Sequence, residues 1–397
     1  MSTTMGNSML SGIRVLSFTH FLQGPSASQI LADLGADVIK VEPPRGAFER
    51  SWTGPGRMIN GVSPFFTLAN RNVRSLAVDL KNPDALEPLL ELVRSSDVLI
   101  ESFRPGALDR LGLGYDALKE INPRLIYCSL SGYGSDGPYV DRPGQDVLVQ
   151  AISGLAAATG RADHDPTPVG ACVVDQHAAV IGAMGILAAL HGRERTGEGT
   201  RVESNLLNAA LDLQIEPLNY ALNGWDDSRS ATGVSSSYYK APYGVFAASD
   251  GHLCISLTSL DTLTALFNDD WFAAIGEKNS FEHRDEINER VASYIVQRPL
   301  AEWFEVFDEH KIWSAPVQNY QQVIDDPQVN HNNSFDSFEH ETAGEIRVLR
   351  HPVTYGGERP GIRTPPPELG GHTAEVLAEA GYSPEDIEKL TTSKAFR

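Results

Sequence analysis

The sequence predicts an α/β protein: a large, discontinuous domain on a mostly parallel sheet, with a smaller α+β domain inserted into it. Short β-branched runs alternate with helical ones through the first half of the chain, as stacked βαβ units do. At 397 residues the chain exceeds one ordinary domain. A polar stretch, WDDSRSATGVSSS from Trp225, then breaks the pattern and marks the best boundary.

Five strands are expected: IRVLSF from Ile13, ADVIKVE from Ala36, RSLAVDL from Arg74, DVLIES from Asp97 and RLIYCSLSG from Arg124. Between them lie helical stretches: PSASQILADLG from Pro25, NPDALEPLLELVRSS from Asn82 and ALDRLGLGYDALKEINP from Ala107. Small and aliphatic residues predict a long helix from about Gln176 to Arg193, and RVESNLLNAALDLQIEPLNYALNG from Arg201 mixes strand and helix character. Beyond the polar stretch, YGVFAASDGHLCISL from Tyr243 reads as a hairpin with a Ser-Asp-Gly turn, followed by helices. The expected domains are 1–224 and 331–397 for the large, Rossmann-like part and 225–330 for the small one. Glu42 closes the second strand as in a dinucleotide-binding unit, but the turn THFLQGPSAS has no GxGxxG, which disfavours a redox NAD enzyme.

With 41% hydrophobic and 21% charged residues, the composition is that of a globular enzyme. A net charge of −20 opposes long-range attraction to nucleic acid or anionic lipid, so neither is expected as a partner. Cys128, Cys172 and Cys254 show no CxxC spacing; no disulfide framework and no metal site are expected, and a reducing cytoplasm fits best. The start, MSTTMGNSMLSG, lacks a signal-peptide pattern, and no apolar run is read as approaching the ~20 residues of a membrane span.

Asp175 stands just before the long helix. It reads as an N-cap whose carboxylate accepts first-turn amide hydrogens. The same position favours an anion and is expected to keep the carboxylate ionised at neutral pH, so that it can attack a thioester and form an acyl-aspartyl anhydride. Cys172, with no base in evident partnership, is expected to be a partly buried small apolar residue.

These segments resemble the CoA-transferases of family III, the CaiB/BaiF group that includes formyl-CoA transferase and the carnitine CoA-transferases. The resemblance runs through LSGIRVLSFTHFLQGP from Leu10, LADLGADVIKVEPP from Leu31, NRNVRSLAVDLKNP from Asn70, ESFRPGALDRLGLGYDALKEINPRLIYCSLSGYG from Glu101, the Asp175 segment and PPPELGGHTAEVL from Pro365. It implies that Asp175 is the catalytic aspartate, cycling through acyl-anhydride and aspartyl-CoA-thioester states. CoA or acyl-CoA is then a substrate, with no tightly bound cofactor, and a small carboxylic acid is the acceptor. Succinate, oxalate, mesaconate and carnitine-like acids all remain open.

By the same resemblance Arg110 matches a CoA-binding arginine, and Phe103, Arg104 and the stretch Val78, Asp79, Leu80 and Lys81 lie at other CoA contacts. His20 matches the histidine that begins the N-terminal CoA loop, but the family glutamine two residues on is Leu22 here, with Gln23 following. A family arginine is replaced by Pro43, with Arg45 as the compensating candidate. The family glycine loop is replaced by GVSSS, Gly233 to Ser237, in which Ser235 and Ser236 are candidate substrate contacts. Gln145 and Asp146 are candidates for the substrate pocket.

The resemblance extends to α-methylacyl-CoA racemases, which oppose the aspartate with a histidine in a segment like RPGHD. This chain reads RPGQD, and glutamine cannot shuttle a proton near pH 7; His177 or His164 would have to substitute. A relative that only binds acyl-CoA is the alternative from a different class. Family membership further implies an interlocked homodimer.

Overall fold

A computed structural model describes residues 8–225, 228–232 and 238–397. The chain forms two compact units: one of residues 1–149, 172–210 and 327–397, the other of 150–171 and 211–326. The polar run from Trp225 thus lies inside the second unit rather than at its edge, and residues 150–171 join it there. Composition marks a loop, whereas the chain crosses between units within or beside helices.

The first unit is built on six parallel strands: β1 (Arg14–Phe18), β2 (Asp37–Glu42), β3 (Val73–Ala77), β4 (Val98–Glu101), β5 (Ile126–Ser131) and β6 (Arg201–Asn205). Their order is β3-β2-β1-β4-β5-β6. All five expected strands are present. They are buried on both faces, which is why they read as unbroken apolar runs. Leu16, Ile39, Leu76 and Leu99 face one core, and Val15, Val38, Val98 and Ile126 face the other.

The helices named below are α1 (Gln23–Asp33), α2 (Leu86–Arg94), α3 (Tyr115–Ile121), α4 (Asp146–Ile152) and α5 (Val173–Thr196). Leu89, Leu92 and Val93 of α2 share one buried stripe and join the first core, each such side chain contributing roughly 1.5–3 kcal/mol. The helix expected from Ala107 is instead a short 3-10 turn, Asp109–Leu111, followed by α3. Gly112 and Gly114 lie between them, and glycine is a poor helix former.

By length and composition α5 could cross a membrane, which corrects the expectation that no apolar run approaches that size. Here it lies on the sheet. Val174, Ala178, Ala179, Gly182, Ala183, Ile186 and Leu190 are buried along one face, with Ala179, Ala183, Ile186 and Leu190 packed among the strand residues of the second core. Its C-terminal end is held by Arg193, 4% exposed, which pairs with Asp97 at 2.8 Å and donates to the Arg124 carbonyl at 3.1 Å.

The second unit contains an antiparallel sheet of β7 (Gly244–Ala247), β8 (His252–Ser256) and β9 (Trp313–Pro316), in that order. Phe272, Ile287, Val291, Trp303 and Phe307 from its helices build a core against Phe246, Leu253 and Ile255. An antiparallel hairpin of β10 (Phe335–His340) and β11 (Gly344–Leu349) belongs to the first unit.

Candidate active site

In an open parallel sheet, ligands bind outside the carboxyl ends of the strands, where the strand order reverses direction. That point here lies between β1 and β4. His20 follows β1 and Phe103 follows β4, and their rings meet at 5.5 Å. The His20 amide donates to Ser102 Oγ at 3.2 Å, and the Phe103 amide donates to the Glu101 carboxylate at 2.9 Å. Burial lowers the His20 pKa, with Glu49 opposing and Lys40 reinforcing, so the imidazole is neutral near pH 7. Burial also pushes Glu101 up to about 7, against hydrogen bonds from Ser129 and the Phe103 amide.

A buried ion pair fixes the backbone on both sides of His20. Lys40, 2% exposed, donates to Glu49 Oε1 at 2.8 Å and to the Thr19 carbonyl at 3.1 Å. The other Glu49 oxygen accepts the Phe21 amide hydrogen at 3.3 Å, and Phe21 sits at φ +62°, a conformation L-residues adopt only when held. Neither Lys40 nor Glu49 stood out in the sequence. The only available signal was a lysine in the middle of the otherwise apolar run VIKVE, a position that demands a buried partner.

The remaining CoA candidates lie after the same strand ends. Arg45 follows β2 and is exposed, as are Arg104 and Arg110. After β3, Val78 is buried and its amide donates to the Glu42 carbonyl at 2.9 Å; the Asp79 amide donates to Ala395, and the Lys81 amide donates to Asp79 Oδ1 at 3.0 Å. Leu80 packs against the first core, and Lys81 is exposed.

Asp175 is the third residue of α5, not its N-cap. Cys172 holds the cap position without a side-chain cap bond, and the cap comes from Asp146, whose Oδ2 accepts the amide hydrogens of Val174 at 2.8 Å and Asp175 at 3.0 Å. The Asp175 carboxylate is therefore not spent on the helix. Burial, then the nearby Asp146 charge, pushes its pKa up to about 7. This corrects the expectation that the helix end alone keeps it fully ionised, because desolvation and a like charge outweigh the dipole. Gln145 is exposed and Asp146 is 8% exposed. They are brought there by Gly132 and Gly144, whose backbones touch so closely that a Cβ on Gly144 would fall 2.5 Å from Gly132 Cα.

Cys172 is exposed rather than partly buried, and its thiol is held above the usual range by desolvation and then by Asp146 and Asp175. Ligand atoms of Asp146, Cys172 and Asp175 lie within 4.8 Å of one another. Asp146 Oδ2 is engaged with the two amides, and a protonated thiol is a weak ligand. His177, two residues along α5, is turned by ~200° from Asp175. Gly233 to Ser237, with Ser235 and Ser236, lie outside the described residues.

The α1 helix joins the two groups of candidates. Ser17 at the end of β1 shares hydrogen bonds of 2.8 Å with Thr19 and with Ser28 of α1, while Ser26 of α1 accepts from Gln176 Nε2 at 3.2 Å, the residue after Asp175.

Comparison with known proteins bears on the family of the whole chain. The family model of CoA-transferase family III matches residues 10–373. Succinyl-CoA:glutarate CoA-transferase of Mus musculus is 34% identical over 97% of this chain and 89% of its own length. Formyl-CoA:oxalate CoA-transferase of Streptomyces avermitilis is 32% identical over 97% of this chain and 98% of its own length. A crystal structure of a CaiB/BaiF family protein from Brucella suis superposes with a TM-score of 0.80 at 30% identity, covering 94% of this chain and all of that one. A match over most of its length, carried by sequence and fold alike, makes the chain a member of CoA-transferase family III, an enzyme that works on acyl-CoA.

Proposed function

We propose that this enzyme moves CoA from an acyl-CoA to a free small carboxylic acid, with Asp175 as the covalent carrier. The observation that carries this reading is that Asp146 caps the helix, so that among the described residues the Asp175 carboxylate is not spent on a cap, while burial and then the Asp146 charge push its pKa up to about 7. In the first step an Asp175 oxygen forms a bond to the thioester carbon and CoA leaves as thiolate. The thiolate then attacks the anhydride at the aspartyl carbon, releasing the donor acid. The acceptor carboxylate attacks the resulting aspartyl-CoA thioester, and CoA finally collects the new acyl group. His20, Arg45, Phe103, Arg104, Arg110 and residues 78–81 are the proposed CoA contacts. Gln145, Asp146, Ser235 and Ser236 are the proposed substrate-side residues.

The names of the relatives set the substrates to try: succinyl-CoA with glutarate, and formyl-CoA with oxalate. The test is to incubate the purified protein with each donor and acceptor and follow new thioesters by mass spectrometry. Asp175→Ala should abolish exchange while CoA still binds; unchanged turnover in that variant would sink the mechanism. We also propose a homodimer, supported by the bare apolar face that Val180 and Met184 present on α5. A monomer mass by light scattering at micromolar protein would remove that proposal.

A further inference from the structure

Residues 393–397 follow the helix Pro384–Thr392 and lie against the strip that leaves β3. Their backbone is tied to it. The Asp79 amide donates to the Ala395 carbonyl at 2.8 Å, the Arg397 amide donates to the Ala77 carbonyl at 3.0 Å, and Phe396 pairs with Val78 as an antiparallel bridge. Asn82 Nδ2 adds a hydrogen bond to the Ser393 carbonyl at 2.8 Å. Ala395 and Phe396 are buried in the first core, so apolar burial anchors the segment as well.

That anchor presents Arg397, which is exposed. Its guanidinium reaches the loop after β2, where Nη1 donates to the Pro44 carbonyl at 2.9 Å. Pro44 adjoins Arg45, and Val78 leads into Lys81, so one arginine lies between two segments that carry candidate CoA contacts, at the ends of neighbouring strands. An exposed arginine ordinarily faces solvent or meets a carboxylate. Carboxylates are plentiful here, with 52 acidic residues against 32 basic ones. Yet Arg45, Lys81 and Arg397 form no ion pair among the described residues. Three uncompensated cations from three segments make a positive patch on an acidic chain, the complement of a polyanion.

We infer that Arg397 is a further CoA-binding residue, whose guanidinium takes a phosphate of CoA between the loop after β2 and the strip after β3. This rests on the reading of those two segments as CoA contacts. A guanidinium offers five N–H donors in a planar fork; Pro44 takes one, and the others match phosphate oxygens. The bonds to Pro44 and Ala77 set the fork in place before the ligand arrives, which lowers the entropy lost on binding. Arg397 therefore acts on the binding of CoA and not on the acyl transfer.

The experiment measures initial rates of Arg397→Gln and Arg397→Lys with the fastest of the proposed donor and acceptor pairs, at low and high ionic strength. Arg397→Gln should raise the KM for acyl-CoA about tenfold and hold kcat within about twofold, the difference shrinking as salt rises. Arg397→Lys keeps the charge and should bring the KM to within about threefold of the parent. A residue that only fastened the loop would not depend on charge. Equal KM shifts in the two variants, or no shift in Arg397→Gln, overturn the inference. The 3′-dephospho form of the same acyl-CoA tells which phosphate is held: a penalty that vanishes with it assigns the 3′-phosphate, and one that persists assigns the diphosphate. Lys81→Gln in the same assay separates the two readings. If it raises the KM while Arg397→Gln does not, only the Arg397 assignment fails; if neither does, the placement of CoA at these strand ends fails as well.

Discussion

Asp146 reaches across 29 positions of sequence to hold Asp175: its carboxylate accepts the Asp175 amide hydrogen at 3.0 Å, while burial first and then the Asp146 charge raise the pKa of the Asp175 side chain. One residue therefore orders the start of α5 and makes its neighbour more basic. Asp146→Ala leaves two amides without their acceptor and should cost about 1–2 kcal/mol of stability. Asp146→Asn keeps an acceptor but removes the charge, so the acid limb of the pH–rate profile should move to lower pH. An unmoved limb, measured as kcat/KM for acyl-CoA, would mean that Asp146 acts on the backbone alone.

The raised pKa of Asp175 links activity and stability with opposite signs. Attack needs the carboxylate, so kcat/KM for acyl-CoA should rise with pH through an apparent pKa of about 7. Stability runs the other way. The folded pKa of about 7 lies above the ordinary 3.8, so the folded chain binds a proton that the unfolded chain has released, and stability falls as pH rises from about 4 to about 7. Asp175→Asn removes this penalty. Its thermal midpoint should match the parent near pH 4 and exceed it by a growing margin up to pH 8; a constant difference across that range would refute the raised pKa.

Arg104 and Arg110 are exposed, so replacing them should leave folding untouched. If they meet the phosphates of CoA, Arg104→Gln and Arg110→Gln should each raise the KM for acyl-CoA about tenfold and change kcat little, with the effect shrinking at high salt. Initial rates at low and high ionic strength measure this. An unchanged KM for both would move the CoA phosphates elsewhere.

The parallel sheet was legible because strands buried on both faces must be apolar, and VLSF, VIKV and LIYCSL say so openly. The segment from Arg201, read as mixed strand and helix, opens with the sixth strand, RVESN; as an edge strand it needs pairing on one side only and can be polar, which left its strand part without bounds in the sequence. β10 and β11 were missed for a similar reason: FDSFEH and GEIRVL carry charges on the open face of a two-stranded ribbon. At the site, the position of Asp175 could be read, but its cap could not. The capping carboxylate comes from a distant segment, and no local spacing encodes a contact made by folding. The same holds for Glu49, whose partner Lys40 is adjacent only because the loop after β2 turns back over β1.

That ion pair offers a test of how the CoA loop is held. Lys40→Met strands the Glu49 carboxylate in a site with no exposure and should cost about 3–5 kcal/mol, enough to compromise folding. The double variant Lys40→Met with Glu49→Leu replaces both charges by apolar groups of similar bulk and should recover most of that loss. It cannot recover the hydrogen bonds to the Thr19 carbonyl and the Phe21 amide, so Phe21 loses the restraint on its positive φ and His20 the frame on either side of it. The folded double variant is therefore expected to bind CoA more weakly, with a higher KM for acyl-CoA and a nearly unchanged kcat. His20→Ala serves as the reference for a lost loop contact. A double variant that folds and keeps the parental KM would show that the pair serves stability alone.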